Sequence, residues 1–383
     1  MMLINKNTLP TTKQESWKYT NLAAIYAKHN ITELLHDSKQ AKDYLQGFKF
    51  DVNENVVIIL DGVLAIDYNN LLTQISDLDF NDDVRDMSKL AIANSKHLCI
   101  NIVKDSKSTL SLIFINTDNA QGKLTNIAMK LSVDMFACVD LDIDFVNLSE
   151  NTSMNLFLDI DIAESGQINL VNNSDNPNNE NLLVTSSYLI NLDKNAQFNA
   201  LNILHKDALL RNDYLVNLNG EGSSFDARGL YLINNKSIAN ACFLVNHNAS
   251  HTYSNVLYNG VVNGSSKAWF NAKAVVNKDI KQIKAFQTNK NIQLSKTSEL
   301  NTKPELEIYS DDVVCTHGAT IGTLDADSLF YMQSRGLTLE DAQCLLLSGF
   351  AKSIISSDTF PFKSELVDDI LDNIEDTLTS TIK

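Results

Sequence analysis

The sequence predicts a mainly β protein whose core is a β-solenoid, with a helical region at each end. From about residue 55, apolar and polar residues alternate with a period of two over many short segments. Asn, Asp, Ser or Gly separates these segments at intervals of about 8–12 residues. The stretch is too long for one sandwich and no propeller blade motif recurs, whereas a solenoid stacks strand on strand without a fixed motif.

The pattern divides the chain into an N-terminal helical region, residues 1–50, a β-helix core, residues 51–323, and a C-terminal helical region, residues 324–383. In the first region, residues that would share one helix face recur at a spacing near 3.6, which predicts amphipathic surface helices. Its members are Trp17, Asn21, Ala24 and Ile25, followed by Leu34, Leu35, Ala41 and Leu45.

The core strands are predicted from strict alternation, with Ile, Leu, Val and Phe facing inward and Asn, Asp and Ser facing outward. The predicted segments are 141–145, 156–162, 167–171, 182–192, 197–204, 214–218, 225–233 and 268–276. The four prolines, at positions 10, 177, 304 and 361, are expected outside strand interiors, because proline cannot donate to a ladder.

Three helices are predicted after the core. Asp325 can cap a helix over 326–335 that Gly336 ends, and Thr338 with Asp341 has capping-box spacing for the next helix. An apolar face is expected on the second helix and another on the third. The residues of these faces are Leu345, Leu346 and Phe350, then Leu366, Ile370, Ile374 and Leu378.

Charge, apolar runs and cysteine positions exclude several classes of function. The 383 residues carry a formal net charge of −16, which argues against nucleic acid as a partner because phosphate binding needs a basic footprint. No apolar run reaches the roughly 18–20 residues of a membrane span, so no membrane association is expected. No apolar leader stands at the N-terminus and the five cysteines are scattered, so we expect a reduced, cytoplasmic protein.

Motifs of common enzymes are absent. The only Gly-Lys pair, Gly122-Lys123, precedes Leu124 and does not form a phosphate-binding loop. The sequence also lacks G-x-S-x-G, H-E-x-x-H, C-x-x-C and the dinucleotide-binding glycine fingerprint. These absences weigh against a stand-alone enzyme.

Three constellations remain as candidate sites. Cys315 and His317 would share one face of a strand, roughly 6–7 Å apart, as half of a soft-metal site. His247 and His251 lie in a strand and turn, where a structural or surface role is the simpler interpretation. The acids Asp142, Asp144, Asp159 and Asp161 could bind calcium or supply paired carboxylates, or form only a solvated strand face.

Several segments together resemble the SufB/SufD family. Asn301-Thr-Lys-Pro-Glu-Leu-Glu-Ile-Tyr309, Asp311-Asp312-Val313 and the Cys315-x-His317-Gly-Ala-Thr320 string, with Gly322, resemble its signature, and so does 329–337 with Ala342 and Phe350. Glu15-Ser-Trp-Lys-Tyr-Thr20 and Ala285-x-Gln287-x-Asn289, with Asn291 and Leu294, match further family segments. The His-Gly-Ala-Thr form and the absence of cysteine from 286–300 favour the SufD branch.

The resemblance implies a right-handed parallel β-helix with helical domains at both ends. It implies a complex with SufB and two copies of the ATPase SufC that builds nascent iron–sulfur clusters in the cytoplasm, and a homodimer when the chain is alone. His317 would face the active cysteine of SufB across an edge-to-edge interface, and Cys315 matches the neighbouring cysteine of the family. No cluster would be held stably by the isolated chain. The C-terminal helices would dock SufC near Phe330, Arg335, Gly336 and Leu337.

Three functions are weighed on these grounds. The first is a non-enzymatic scaffold subunit for iron–sulfur cluster assembly. The second is a purely structural adaptor of the same complex, with His317 inert. The third is a β-helix polysaccharide-active enzyme that uses the acids on its strands.

Overall fold

The computed structural model describes residues 9–29, 31–33, 55–67, 69–75, 86–149, 151–173, 182–205 and 209–355, together with residues 374, 378, 379 and 382. Its core is a parallel β-solenoid of about seven turns, which confirms the predicted fold class. The chain passes back and forth between two sheets, here called sheet A and sheet B. Register partners on successive coils of sheet B lie 27–31 residues apart, so each coil is one repeat of similar length.

The strands, in chain order, are β1 (Thr32–Glu33), β2 (Asn55–Leu60), β3 (Val63–Asp67), β4 (Leu72–Ile75), β5 (His97–Ile102), β6 (Lys107–Asn116), β7 (Lys123–Val133), β8 (Cys138–Asn147), β9 (Ser153–Ile162), β10 (Gln167–Asn173), β11 (Leu183–Leu192), β12 (Gln197–His205), β13 (Leu209–Leu218), β14 (Ser224–Ile233), β15 (Ile238–His247), β16 (Tyr253–Val262), β17 (Lys267–Val276), β18 (Ile283–Gln293), β19 (Glu299–Ile308) and β20 (Val313–Gly322). From β5 onward the odd-numbered strands form sheet A and the even-numbered strands form sheet B. The solenoid begins with two antiparallel pairs, β2 with β3 and β4 with β5.

The interior is filled by the alternating apolar residues that predicted the strands. On β8, for example, Leu141 and Ile143 are fully buried, while Asp142 and Asp144, which alternate with them, are only partly buried. Because the register is the same from coil to coil, similar side chains lie above one another. The rings of Tyr188, Tyr214 and Phe243 form such a column, with ring-centroid distances of 4.6 and 4.9 Å between neighbours. Stacked rings at this spacing add to the stability that burial alone provides.

Outward polar residues form ladders of the same kind. Asn191 donates to Asp161, Asn217 donates to Asn191, and Asn246 donates to Asn217, each over 2.9 Å. Each bond joins register partners on neighbouring coils. An outward polar side chain can therefore form its hydrogen bonds with the register partner on the neighbouring coil.

The N-terminal segment packs against sheet A. A short 3-10 helix (Glu15–Trp17) precedes α1 (Leu22–Lys28), which Asn21 caps by accepting from the Ala24 amide. Strand β1 then pairs with β7, so this predicted helical region also contains a short strand. The predicted helix carrying Leu34, Leu35, Ala41 and Leu45 lies outside the described residues.

Two features of the core differ from prediction. A helix, α2 (Asp86–Ala93), interrupts the strands and packs near β7 and β9. Pro304 lies inside β19, so the prediction that all four prolines avoid strand interiors was wrong. The reason is that β19 is the last strand of sheet A, and a terminal strand tolerates a missing amide on its open side.

Helices α3 (Ala326–Ser334) and α4 (Leu339–Lys352) begin where the capping signals predicted. Asp325 accepts from the Ser328 amide over 2.8 Å, and Thr338 accepts from the Asp341 amide over 3.1 Å. Gly336, with φ of +98°, follows the first helix in the left-handed conformation that its type favours.

Helix α4 covers the outer face of sheet B. Its buried residues include Leu347 and Ala351, whereas Leu345 is 55% exposed, so the predicted apolar face was wrong at Leu345. Arg228 donates to the Ile354 carbonyl oxygen and Asn259 to the Phe350 carbonyl oxygen, which satisfies acceptors left free at the helix end. The apolar cluster between α4 and sheet B also contains Ile374 and Leu378 of the predicted third helix. Leu366 and Ile370 of that helix lie outside the described residues.

Candidate functional site: the open end of the solenoid

The solenoid ends at β19 and β20 with an open coil. In the described part of the chain, each of these strands hydrogen-bonds to a single neighbour, β17 or β18. Most residues of β20 are exposed, whereas most residues of β14, three coils earlier in the same sheet, are buried. Both the backbone edge and the inward face of the last coil are therefore accessible.

Cys315 and His317 lie on the inward face of β20. Their register partners are Ala285 and Gln287, both buried on the inward face of β18. The alternation of a strand therefore places the thiol and the imidazole on one side, as the sequence predicted. Because no further described coil covers this side, His317 is exposed rather than enclosed.

Cys315 is half-buried beside the apolar cluster of Val276, Ile280 and Ile283. Burial raises the pKa of its thiol above the ordinary value, and a hydrogen bond with the Ala285 backbone offsets only part of this effect. The thiol is therefore protonated near neutral pH, and it could bind a metal only with loss of that proton.

The pair is incomplete as a metal site. No group of three or more His, Cys, Asp or Glu side chains in the described residues could hold a metal ion. Iron–sulfur clusters and other soft metals are commonly held by four cysteine or histidine ligands. With only Cys315 and His317 as candidates, a complete site would need further ligands from outside the described residues of this chain.

The second histidine pair does not converge. His247 is buried inside the solenoid, where its ring nitrogens contact the Thr252 and Ser254 hydroxyls at 2.7 and 2.9 Å. Burial lowers the pKa of His247 to about 4, so the ring stays neutral. His251 lies in an exposed turn, 3.4 Å from the Glu221 carboxylate. The structure thus gives the first a structural role and the second a surface position.

The four acids do not form one site either. Asp142 and Asp144 lie on the outward face of β8 in sheet B, whereas Asp159 and Asp161 lie on that of β9 in sheet A. Burial raises the pKa of Asp144 and of Asp159 to about 6. Lys130 lies 3.4 Å from Asp159 and 2.6 Å from Asp161. The four acids are therefore divided between two sheets, and the two on β9 are both paired with Lys130.

Beyond the open coil, α3 and the turn after it expose a group of large apolar side chains, here called the α3 patch. Phe330 is 73% exposed and Tyr331 is 59% exposed, and the patch continues through Leu337 and Leu339. The Arg335 guanidinium lies over the Tyr331 ring and donates to its hydroxyl over 3.1 Å. Phe330, Arg335, Gly336 and Leu337, the four residues expected to dock a partner, therefore lie together around this helix end.

Sequence reasoning did not single out the groups behind the site. Gln287, Asn289 and Asn291 are buried amides on the inward face of β18, where alternation predicts apolar residues. Their only sequence signal was the Ala-x-Gln-x-Asn match, which carried no chemical role. Arg211, buried on sheet A, gave no signal at all.

Fold and site together define a class: a parallel β-solenoid that presents a thiol and an imidazole, those of Cys315 and His317, on the inward face of its open last coil. The chain matches the family described as "SUF system FeS cluster assembly, SufBD core domain" over residues 95–350. It therefore belongs to the SufBD family, as its sequence motifs indicated. This membership supports a role in SUF iron–sulfur cluster assembly, and the scaffold character of the family is consistent with a non-enzymatic protein.

The individual proteins that the chain resembles carry names from the same family. The chain is 34% identical over 147 residues to the iron–sulfur cluster assembly protein SufD of Escherichia coli, which covers 38% of this chain and 35% of that protein. A SufBD family protein of Synechocystis is 23% identical over 394 residues, covering 94% of this chain and 86% of the relative. The SufD protein of Bacillus subtilis is 26% identical over 140 residues, which are 37% of this chain and 32% of that protein.

Among the helices in the described residues, none has the length and apolar character needed to cross a membrane.

Proposed function

We propose that this chain is a non-enzymatic scaffold subunit of a SUF assembly complex, and that a nascent iron–sulfur cluster forms against its open end. His317 is one ligand of that cluster, and Cys315 is a second candidate. The remaining ligands come from a SufB-type subunit that meets β20. The cluster is cargo, which is passed on rather than retained.

The exposed imidazole at the end of the solenoid carries this proposal. His317 sits on the inward face of a strand whose outer edge is free in the described structure. A free edge is a template for pairing with a strand of another chain. A partner that extended sheet B beyond β20 would bring its own side chains opposite His317, in the register that stacks like positions throughout this solenoid.

The same edge accounts for the expected partners. A SufB-type solenoid would continue both sheets, and in its absence a second copy of this chain could occupy the edge as a homodimer. The α3 patch would dock a SufC-type ATPase, because the chain has no phosphate-binding loop of its own and exposes Phe330 beside Arg335.

Replacing His317 tests the ligand role. His317→Ala, assembled with SufB-type and SufC-type partners, should lower the yield of reconstituted cluster by about tenfold or more. Loss of an outer-sphere partner alone commonly costs 10–100-fold in metal affinity, so loss of a ligand should cost at least as much. The yield is measured by the visible absorbance and by the iron and sulfide content of the purified complex.

His251→Ala is the matched control, because His251 is also exposed but lies in a turn and pairs with Glu221. It should leave the yield unchanged. An unchanged yield in the His317→Ala complex, with all subunits still bound, would remove the ligand role and leave the structural adaptor.

A further inference from the structure

A buried amide stands directly behind His317. Gln287 is the register partner of His317 on β18 and is 3% exposed. Its Nε2 donates to the Glu305 carbonyl oxygen on β19 over 3.2 Å. Because a carbonyl oxygen can only accept, this bond fixes which end of the amide carries the nitrogen and which carries the oxygen.

The oxygen of this amide is unused. Gln287 Oε1 is buried and has no hydrogen-bond partner among the residues that the structure describes. The two other buried amides on this face of β18 differ: the Asn289 oxygen accepts from Asn291, and the Asn291 oxygen accepts from the Tyr231 hydroxyl. A buried acceptor without a donor is unfavourable, so Gln287 is the amide that needs one.

Register neighbours elsewhere in this solenoid show how such a group is satisfied. Asn199 donates to Asn169 over 3.0 Å and Asn169 donates to Asp140 over 2.7 Å, each across one coil. His317 stands one coil beyond Gln287 on the same face. An imidazole N–H at that position is within the reach that these ladders demonstrate.

We infer that Gln287 is a positioning residue for His317. Its Oε1, which has no partner in the described part of the chain, accepts from one ring nitrogen when the His317 side chain turns towards β18. That bond fixes the tautomer and the ring orientation and leaves the lone pair of the other nitrogen directed out of the open end. Metal-binding histidines are commonly oriented in this way by a carbonyl or carboxylate oxygen. The consequence for cluster binding rests on the proposed function, whereas the hydrogen bond itself does not.

The hydrogen bond is tested on the full chain labelled with ¹⁵N-histidine at pH 8. Ring ¹⁵N chemical shifts distinguish the two tautomers, and His317→Ala assigns the signals. The unchanged chain should show one dominant tautomer for His317, and Gln287→Met should give a mixture. Gln287→Glu retains an acceptor oxygen and should restore the single tautomer.

Gln293→Met is the matched control. Gln293 lies on the same strand and its Nε2 also donates to a carbonyl oxygen, that of Ser298, over 2.8 Å, but it is not paired with His317. It should leave the His317 signals unchanged. A mixture of tautomers in the unchanged chain would overturn the inference even if the Gln287 variants failed to fold.

A second readout separates this inference from the proposed function. In the assembled complex, Gln287→Met should weaken cluster binding about tenfold, with recovery in Gln287→Glu. A His317 tautomer that depends on Gln287 supports the positioning role, whatever the cluster yield. A tautomer that is insensitive to Gln287 overturns it, even where His317→Ala abolishes the cluster.

Discussion

Arg211 shows how a single residue fixes the N-terminal segment to the solenoid. It is fully buried on the outer face of sheet A, 3.7 Å from the Trp17 ring centroid and 5.4 Å from that of Trp269. Its Nε and Nη2 donate to the Asp213 carboxylate over 2.7 and 2.9 Å, and Nη2 also donates to the Ser16 carbonyl oxygen. Burial alone would lower the pKa of Arg211, but the Asp213 carboxylate raises it, so the ion pair is maintained.

Removing this guanidinium should be strongly destabilising. Arg211→Met removes the charge that pairs with the buried Asp213 carboxylate, and breaking a buried ion pair in this way costs about 3–5 kcal/mol in free energy of unfolding. The chain has two tryptophans, Trp17 and Trp269, and both flank Arg211, so urea unfolding followed by tryptophan fluorescence reports on this contact.

Lys303→Ala is a suitable comparison, because Lys303 also joins sheet A to the N-terminal segment, through an exposed pair with Glu15 at 3.0 Å. Water screens that pair, so its loss should change the unfolding free energy far less. Equal losses in the two variants would contradict the assignment of Arg211 as the main anchor.

At the scale of elements, α3 differs from the other helices because none of its described residues is buried. Helix α4 packs Leu347 and Ala351 on sheet B, whereas α3 projects Phe330 and Tyr331 away from the core. An apolar surface of this kind is typical of a helix that packs against another protein.

Replacing Phe330 by aspartate should therefore weaken binding of a SufC-type subunit without unfolding the chain. A buried aromatic anchor at an interface commonly contributes about 2 kcal/mol or more, which corresponds to a decrease in affinity of roughly thirtyfold. Isothermal titration calorimetry measures it.

Phe136→Asp is the control, because Phe136 is also an exposed phenylalanine but lies in a turn between β7 and β8. Its backbone has a φ of +58°, which aspartate tolerates. Equal affinity of the Phe330 and Phe136 variants would exclude the α3 patch as the docking surface.

Elements with regular patterns were predictable from the sequence, and those at the site were predictable in part. Strand β8 alternates strictly, and the predicted segment lies inside it. Strand β18 was not predicted as a strand, because its inward positions hold the polar Gln287, Asn289 and Asn291 in place of apolar residues. Side-chain partners such as that of Arg211 depend on contacts 195 residues apart in sequence, which no local pattern encodes.

For the whole molecule, the important feature is where the stack of coils stops. Strands β5 to β18 each pair with a neighbouring strand on both sides, and the core runs continuously from β2 to β17. The last coil, β19 and β20, leaves an edge and an inward face accessible, and His317 lies on that face. The position of the proposed ligand, His317, follows from the solenoid architecture. An incomplete ligand set among the described residues suits the proposed role of a subunit that releases its cluster.

The direct test is pulsed electron paramagnetic resonance on the reduced cluster in an assembled complex whose copy of this chain carries ¹⁵N-histidine. If His317 binds iron, a strong ¹⁵N coupling of a coordinated imidazole should be present, and it should disappear in His317→Ala. A cluster that forms normally but shows no imidazole coupling, or one whose coupling persists after His317 is replaced, would contradict the account.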